Sequence, residues 1–371
     1  MKYMGSKRAM LGNGLGEIIS AEAPRHARFI DLFSGSGAVA SHVAQRFSIE
    51  TLAYDLQEYA AAVARATLKR TAPIDASSCW KLWKARARRR FDAISPPTYD
   101  TVTPEVVANS RAWAANANGS LIQAYGGHYF SPTQATWIES FRATLPATSE
   151  ERDVCLAALL SACSKCAAAP GHTAQPFQPT PTATKFLQGS WQLDISNQIY
   201  FALATLAGQH SLVPGDAQVG DANVVSHGLA EGDLAFIDPP YSAVQYSRFY
   251  HVLEAVAVGS IGPVEGIGRY PPPADRPRSA YSFKRHSLTA LSDLLHTLSE
   301  NGVTAILTFP DHLCSNGISG DDVRDIAATH FNVVESRVSS IFSTLGGTSS
   351  KGKNRAARKE AKELILLMKA K

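Results

Sequence analysis

The sequence lacks the long apolar runs that membrane-spanning helices require, since no stretch approaches the length of a bilayer crossing. It also lacks a hydrophobic segment behind its basic start, MKYMGSKRAM, so we expect no secretory signal. Cysteine is scarce, and five residues without a regular framework are typical of a reducing cytoplasm. These absences exclude a membrane protein and a secreted disulfide scaffold. We therefore expect a cytoplasmic globular protein.

Charge is also modest, because charged residues make up 18% of the chain and the net charge is only +4. The positive charge is nevertheless concentrated in two runs, KLWKARARRR at 81–90 and KGKNRAARKEAK at 351–362. Such runs suit a polyanion such as nucleic acid, but they are also typical of solvated surfaces. Composition therefore leaves nucleic-acid binding and a plain basic surface both open.

The chain begins with an alternation of strands and helices. Arg28–Phe33 is a buried strand pattern followed by the glycine turn Ser34–Gly37, and Ala38–Phe47 has helical spacing. A second strand, Thr51–Asp55, ends in an acid and leads into the alanine-rich helix Gln57–Arg70. This order predicts the opening of a doubly wound α/β sheet.

The alternation stops at about Thr71 and resumes at Trp191. The intervening stretch has helical patterns and a Pro/Thr-rich segment, so we interpret it as an inserted, mainly helical region. Further strand patterns then follow at 218–222, 234–238, 302–309, 331–338 and 363–368. The predicted organisation is a first sheet segment at 1–70, an insertion at 71–190 and a second sheet segment at 191–371.

The first candidate site is the turn that follows the first strand, together with Asp55. Glycines at this position let the backbone approach a ligand, and an acid at the end of the second strand can bind the two hydroxyls of a ribose. A dinucleotide and S-adenosylmethionine both fit this pattern, and Ala40 stands where the dinucleotide fingerprint has its third glycine. Asp31 lies before the turn, where it suits the cationic methionine end of S-adenosylmethionine better than a pyrophosphate.

The second candidate site is Asp238-Pro239-Pro240-Tyr241, at the end of an apolar strand. Proline has no N–H and a fixed φ, so the strand ends here in a stiff turn. The Asp238 carboxylate and the Pro239 carbonyl can accept the two hydrogens of an aromatic amine, which increases electron density on its nitrogen as that nitrogen attacks a methyl group. Tyr241 would stack on the ring. A base inside a duplex must first be flipped out to reach such a site.

These motifs resemble those of the adenine-N6 DNA methyltransferases of the alpha group, which include Dam-like and type IIS restriction-associated enzymes. The resemblance covers residues 1–65 and 190–371. Asp238–Tyr241 is identical to the family's catalytic motif, and Gln245–Glu254 is similar to the helix that backs it. Lys2–Arg8 is similar to the opening cofactor motif of the family, in which the aromatic residue and the lysine touch S-adenosylmethionine.

The resemblance implies a Rossmann-like methyltransferase fold with seven mostly parallel strands and an antiparallel strand near the C-terminus. It implies S-adenosylmethionine as cofactor and catalysis by Asp238, Pro239, Pro240 and Tyr241. The cofactor would be bound by residues of both sheet segments, namely Tyr3, Met4, Lys7, Asp31, Phe33, Gly35, Ser36, Gly37, Asp55, Asp221 and Asp238.

The implied substrate is duplex DNA, and the insertion would carry the target-recognition region. Ser282–Lys284 and Asn316–Ser319 are similar to family loops on the DNA side. We expect phosphate contacts from basic residues at three places in the chain, namely Lys84, Arg86, Arg88, Arg89, Lys284, Arg285, Lys351 and Lys353. A cognate restriction endonuclease or another defence partner and a nucleoid location would follow, without a membrane or a metal.

Three alternatives remain open at this point. An RNA or cytosine-N4 methyltransferase would share the cofactor motifs, although such enzymes more often have Asn or Ser in place of Asp238. A nicotinamide enzyme would leave Asp238–Tyr241 without a role. A catalytically silent DNA-binding homologue would keep the same motifs. Among the residues outside these motifs, we interpret Cys155, Cys163 and Cys166 as helix packing, and His128 and His251 as structural or surface residues.

Overall fold

The computed structural model describes residues 7–343 and 358–371. The chain divides into two compact units. Within the described residues, the sheet unit consists of residues 7–56, 211–246, 278–343 and 358–371, and the helical unit consists of residues 57–210 and 247–277.

Seven strands and fifteen α-helices lie within the described residues. The strands are β1 (Arg28–Asp31), β2 (Glu50–Asp55), β3 (Asp216–Val219), β4 (Asp233–Ile237), β5 (Thr304–Pro310), β6 (Phe331–Ser343) and β7 (Arg358–Ala370). The helices are α1 (Arg8–Leu11), α2 (Leu15–Glu22), α3 (Ala38–Ala44), α4 (Glu58–Leu68), α5 (Ala76–Ile94), α6 (Pro104–Asn116), α7 (Ser120–Tyr125), α8 (Pro132–Ala143), α9 (Ser149–Cys166), α10 (Thr184–Trp191), α11 (Ile195–Ala207), α12 (Ala222–Val225), α13 (Tyr246–Val258), α14 (Ser287–Glu300) and α15 (Gly320–His330).

The seven strands form one sheet in the order β3-β2-β1-β4-β5-β7-β6. The first five are parallel, whereas β7 runs antiparallel to both β5 and β6. This confirms the predicted mixed α/β architecture of seven mostly parallel strands. The carboxyl ends of β1, β2 and β4 consequently lie at one edge of the sheet, which is where open α/β sheets bind ligands.

The sheet has an apolar layer on each face because side chains alternate along its strands. Phe29 and Phe236 stack on one face with ring centroids 6.5 Å apart, and Ile30 and Ile237 belong to the cluster on the other face. Helix α14 covers that second face with leucines at helical spacing. Burial of each such side chain contributes about 1.5–3 kcal/mol, so the layers hold the ends of the strands in fixed positions.

The helical unit has its own apolar core. Trp83 on α5 is fully buried and donates from Nε1 to the Phe141 carbonyl at 3.0 Å, and the Trp80 ring stacks on the Phe141 ring. Both tryptophans therefore pack within this unit. The Sγ atoms of Cys79 and Cys155 lie 3.3 Å apart in the same core as free thiols.

The helical unit begins before the predicted insertion and ends after it. It includes α4 and α11, together with α13 beyond Tyr246 and the loop to Pro277. The assignment of target recognition to residues 71–190 stays a prediction. Among the described residues, no helix combines the length and the apolar character needed to cross a membrane.

Candidate active site

The glycine turn after β1 places two acids at the edge of the sheet. Gly35 and Gly37 have φ values of +49° and +67°, a conformation that is readily available only to glycine. The turn is held by Ser34 N–H, which donates to the Tyr54 carbonyl at 2.8 Å, and by Gly35 N–H, which donates to Asp55 Oδ2 at 3.0 Å. The turn and the carboxylate at the end of β2 are therefore in direct contact.

Asp31, the last residue of β1, is a buried acid. Burial is the main reason that the pKa of its carboxyl is raised to about 8. The negative charges of Asp238 and Asp55 contribute to the increase, and hydrogen bonds from the backbone N–H groups of Phe33 and Ala40 oppose it. A carboxyl with this pKa is largely protonated at neutral pH in the free protein. A cation beside it would favour its ionised form.

Asp238 follows β4 and is held from two sides. Thr308 on β5 donates from Oγ1 to Asp238 Oδ1 at 3.1 Å, and the Lys7 ammonium lies 3.0 Å from the same oxygen. Burial raises the Asp238 pKa to about 6, while Lys7 opposes this increase and Glu363 adds to it. The carboxylate is thus a fixed acceptor with a pKa close to neutrality.

Lys7 lies between two carboxylates. Its Nζ is 3.0 Å from Asp238 Oδ1 and 2.9 Å from Glu363 Oε2, and the side chain is 4% exposed. Burial by itself would lower the Lys7 pKa, but the negative charges of Asp238 and Glu363 outweigh this effect and raise it. Lys7 is therefore an ammonium group at neutral pH.

The loop after Asp238 is braced by an asparagine. Asn316 is fully buried and donates from Nδ2 to the Pro240 carbonyl at 2.9 Å and to the Tyr281 carbonyl at 3.1 Å. Burial raises the pKa of Tyr241 to about 12, so its phenol is neutral. The sheet unit thus brings the loops around Ser282 and Asn316, which the sequence separates from Asp238–Tyr241, to this turn.

The remaining predicted cofactor residues are distributed around the same strand ends. The Phe33 ring makes an edge contact with the Tyr281 ring, with centroids 5.2 Å apart. Asp221 follows β3 and caps α12 by accepting from the Asn223 N–H at 2.9 Å. Ser36 lies within the turn itself. Tyr3 and Met4 lie outside the described residues, so their predicted roles stay predictions.

The predicted DNA-contacting residues fall into separate groups. Lys84, Arg86, Arg88 and Arg89 lie on α5 in the helical unit, where Arg88 pairs with Asp92 at 2.7 Å. In the sheet unit, Lys284 and Arg285 are exposed just after the Tyr281 segment. Lys351 and Lys353 lie outside the described residues.

Of the histidines and cysteines considered from the sequence, His251 and the three cysteines are buried and His128 is partly buried. Burial lowers the pKa of His251 to about 4 and that of His128 to about 3, so both rings are neutral. Cys155, Cys163 and Cys166 are buried on α9. Among the described residues, no cluster of three or more His, Cys, Asp or Glu side chains could hold a metal ion.

Three residues that support the site are not among those predicted from the motifs. Glu363 stands at the start of the apolar segment ELILLM, where a buried acid is unexpected, and it contacts Lys7 from β7. Thr308 is a polar residue within the apolar strand β5, and Asn316 lies in the loop whose sequence is similar to a family loop on the DNA side. A polar residue within an apolar strand, such as Glu363 or Thr308, indicates a buried polar contact. The residue that it contacts cannot be inferred without the order of the strands in the sheet.

The strand ends carry a cluster whose chemistry suits a cation. Lys7 lies between the carboxyl groups of Asp238, which is partly buried, and Glu363, which is buried. The buried Asp31 carboxyl interacts with the charge of Asp238, so three acids and one lysine share this region and can carry net negative charge. Ser34 Oγ in the glycine turn is buried and has no hydrogen-bond partner among the described residues. Together with the carboxyl-end edge of the parallel strands, these features are those of a site for a polar ligand that carries positive charge.

Comparison with known families gives a match over part of the chain. The model of the D12 class N6 adenine-specific DNA methyltransferases matches residues 3–99, which include the glycine turn and Asp55. The match confirms the resemblance seen in the motifs, and it supports an adenine-N6 DNA methyltransferase family and that enzyme class. Asp238–Tyr241 lies outside the matched segment.

Two further comparisons add little. No curated protein matches the sequence significantly. The solved structure of the rRNA methyltransferase aviRa from Streptomyces viridochromogenes is similar to this chain at a TM-score of 0.28 and 11% identity, covering 95% of this chain and 82% of that one. A similarity at this level carries no argument about function.

Proposed function

We propose that this protein transfers a methyl group from S-adenosylmethionine to N6 of an adenine flipped out of a specific duplex DNA site. The observation that carries the proposal is the position of Asp238. It directly follows β4, which pairs with β1 before the glycine turn, it contacts Lys7 and Thr308, and it begins the turn to Tyr241. A methyl acceptor and its donor would therefore meet at one sheet edge.

The residues present fit the cofactor. S-adenosylmethionine supplies an electrophilic methyl group on a cationic sulfur. Asp31 would bind the ammonium of its methionine part, and Asp55 would bind the ribose hydroxyls. The protein backbone at Gly35–Gly37 would lie close to the ligand. The buried Ser34 hydroxyl supports a polar ligand at this turn, since such groups usually have a partner. The proposed set is completed by Tyr3, Met4, Lys7, Phe33, Ser36, Asp221 and Asp238.

Asp238 and Pro239 would hold the target amine. The lone pair of the adenine N6 is delocalised into the ring, so the amine is a weak nucleophile. When the Asp238 carboxylate and the Pro239 carbonyl accept its two hydrogens, positive charge developing on N6 is stabilised by acceptors that are already in place. After the methyl group has been transferred, the excess proton on N6 leaves to Asp238. Pro240 keeps the turn rigid, and Tyr241 would stack on the base.

The DNA and its biological context belong to the same proposal. The basic groups on α5, those at Lys284 and Arg285, and Lys351 and Lys353 would neutralise phosphates. A restriction-modification or phage-defence setting, with a cognate nuclease as partner and a location in the nucleoid, agrees with this chemistry. The family resemblance supports this setting. In such a setting the enzyme would methylate the DNA of its own host.

The test is methyl transfer from labelled S-adenosylmethionine to duplex DNA, followed by sequencing of the modified bases. We expect labelled N6-methyladenine within one consensus site. Asp238→Ala should reduce transfer by about a hundredfold to a thousandfold while the protein stays folded in thermal melting. Asp293→Ala, on α14, removes an acid elsewhere in the sheet unit and should leave transfer intact. Label on RNA or on cytosine, or full activity of Asp238→Ala, would refute the proposal.

A further inference from the structure

The strand β7 supplies a buried acid to the catalytic turn. Glu363 is 7% exposed and accepts a hydrogen bond from Lys7 Nζ at 2.9 Å. Its backbone is held on both sides, because it pairs with Pro310 of β5 and with Val338 of β6. The side chain is therefore presented by the middle of a sheet and cannot move away easily.

This arrangement divides one lysine between two carboxylates. Lys7 Nζ is 3.0 Å from Asp238 Oδ1 and 2.9 Å from Glu363 Oε2, so the ammonium group interacts with both carboxylates. Two ionised carboxylates and one ammonium leave a net charge of −1 beside the target site. Opposite charges at this distance interact strongly when solvent is excluded.

A simple pair of Lys7 and Asp238 would work less well in the proposed reaction. A full ion pair weakens a carboxylate as a hydrogen-bond acceptor and as a base. Positive charge develops on the target amine during methyl transfer, and a net negative cluster stabilises it where a neutral pair does not. A second acid on the far side of the lysine would restore both properties.

We infer that Glu363 is a positioning residue for the reaction, which acts through Lys7 to keep Asp238 a strong acceptor for the target amine. This inference rests on the proposed function for its catalytic consequence. Its electrostatic part concerns the protein alone. The negative charge of Glu363 raises the pKa of Asp238, and the charge of Lys7 lowers it.

The two neighbours of Asp238 should therefore have opposite effects when they are neutralised. Glu363→Gln removes a negative charge, so the Asp238 pKa should fall by about one unit. Lys7→Met removes the positive charge, so the same pKa should rise. In pH profiles of single-turnover methylation, the acid limb should move to lower pH in Glu363→Gln and to higher pH in Lys7→Met. The plateau rate of Glu363→Gln should fall about tenfold, and Glu363→Asp should recover part of it.

Glu335→Gln is the matched control. Glu335 lies on the neighbouring strand β6 and pairs with Arg324 at 2.9 Å. Glu335→Gln therefore removes one negative charge from the sheet unit, as Glu363→Gln does. It should leave the acid limb in place. Thermal melting and cofactor binding verify that each variant is folded. A merely structural Glu363 would lower stability without moving the limb, and that result would overturn the inference.

A second measurement separates this inference from the proposed function. The Asp238 carboxyl can be titrated by carbon-detected NMR in the free protein, without DNA. A lower Asp238 pKa in Glu363→Gln would support the electrostatic inference even if the wild-type protein methylated no adenine. An unchanged pKa would refute it even if the enzyme methylated adenine as proposed.

Discussion

Asn316 Nδ2 lies 2.9 Å from the Pro240 carbonyl and 3.1 Å from the Tyr281 carbonyl, so one buried amide joins two loops of the sheet unit. Because proline has no N–H, the Asp238–Tyr241 turn can make few backbone hydrogen bonds of its own. Its geometry therefore depends on donors from elsewhere. Asn316 supplies one of them from the loop after β5.

We expect Asn316→Ala to weaken catalysis more than folding. Two hydrogen bonds from a buried neutral donor are lost, which should cost about 2 kcal/mol of stability. The turn gains freedom, so the rate of methyl transfer should fall at least tenfold while cofactor affinity stays close to that of the wild type. Stopped-assay kinetics and calorimetric cofactor titration measure the two quantities.

Asn301→Ala is a suitable control for this prediction. Asn301 also donates from Nδ2 to a carbonyl in the sheet unit, that of Ser226, at 3.1 Å. Its loss should reduce stability by about 1 kcal/mol and leave the rate unchanged. If both variants lost activity in proportion to stability, Asn316 would have no particular role in the turn.

Asp31 should make stability depend on pH in an unusual direction. Burial raises its pKa from 3.8 to about 8, so between these values the folded state binds a proton that the unfolded state has released. Stability from this group is therefore present at low pH and is lost as pH rises toward 8. Asp31→Asn should have a higher melting temperature than the wild type at pH 8, and the difference should disappear near pH 4.

The same carboxyl should couple cofactor binding to proton release. The cationic end of S-adenosylmethionine favours the ionised form of Asp31, so the proton held at pH 7 should leave on binding. Calorimetry in buffers with different ionisation enthalpies measures this proton. Asp31→Asn should release none and bind more than tenfold more weakly, while Asp325→Asn, at an exposed position on α15, should behave like the wild type.

Arg142 should be important for the stability of the helical unit. Its guanidinium donates to the last carbonyls of α13, those of Val256 at 2.7 Å and Ala257 at 2.8 Å. These groups would otherwise lack partners, and the charge is favourable at a helix C-terminus. Arg142→Met should cost about 2–3 kcal/mol in chemical denaturation. Lys185→Met, an exposed residue of the same unit, should cost less than about 0.5 kcal/mol.

Much of the fold was predictable because its signals are local. Residues 234–237 of β4 are all apolar and are followed directly by Asp238-Pro239. Gly35 and Gly37 predict a tight turn, and both adopt the positive φ values that such a turn requires. The acids that end β1 and β2 come to one edge because parallel strands share a direction. Each of these inferences needs only a short stretch of sequence.

The supporting contacts of the site could not be inferred in the same way. Lys7 and Glu363 are separated by 356 positions, and their contact depends on β7 entering the sheet antiparallel to β5. Similarly, α4 follows β2 directly but belongs to the helical unit. Sequence patterns specify elements, whereas these relationships depend on sheet order and on the packing of segments that are far apart in the chain.

The last prediction distinguishes the two described groups of basic residues. Each phosphate contact that is lost should reduce the slope of log affinity against log salt by about 0.9. If α5 lies on DNA, the variant with Lys84, Arg86 and Arg89 changed to Ala should lose close to three contacts, and the slope should decrease by about 2.7. Arg88 is left unchanged because its replacement would also break its ion pair with Asp92, and the slope would then report more than the loss of a phosphate contact.

The Lys284→Ala, Arg285→Ala double variant should reduce the slope by about 1.8. Because these residues lie in the sheet unit, next to the loop that Asn316 anchors, this variant should also lower the methylation rate on bound DNA. Fluorescence anisotropy at several salt concentrations measures both slopes, with Lys185→Ala as the control. An unchanged slope in the α5 variant would assign that helix a solvated surface role, and phosphate binding would then belong to the sheet unit.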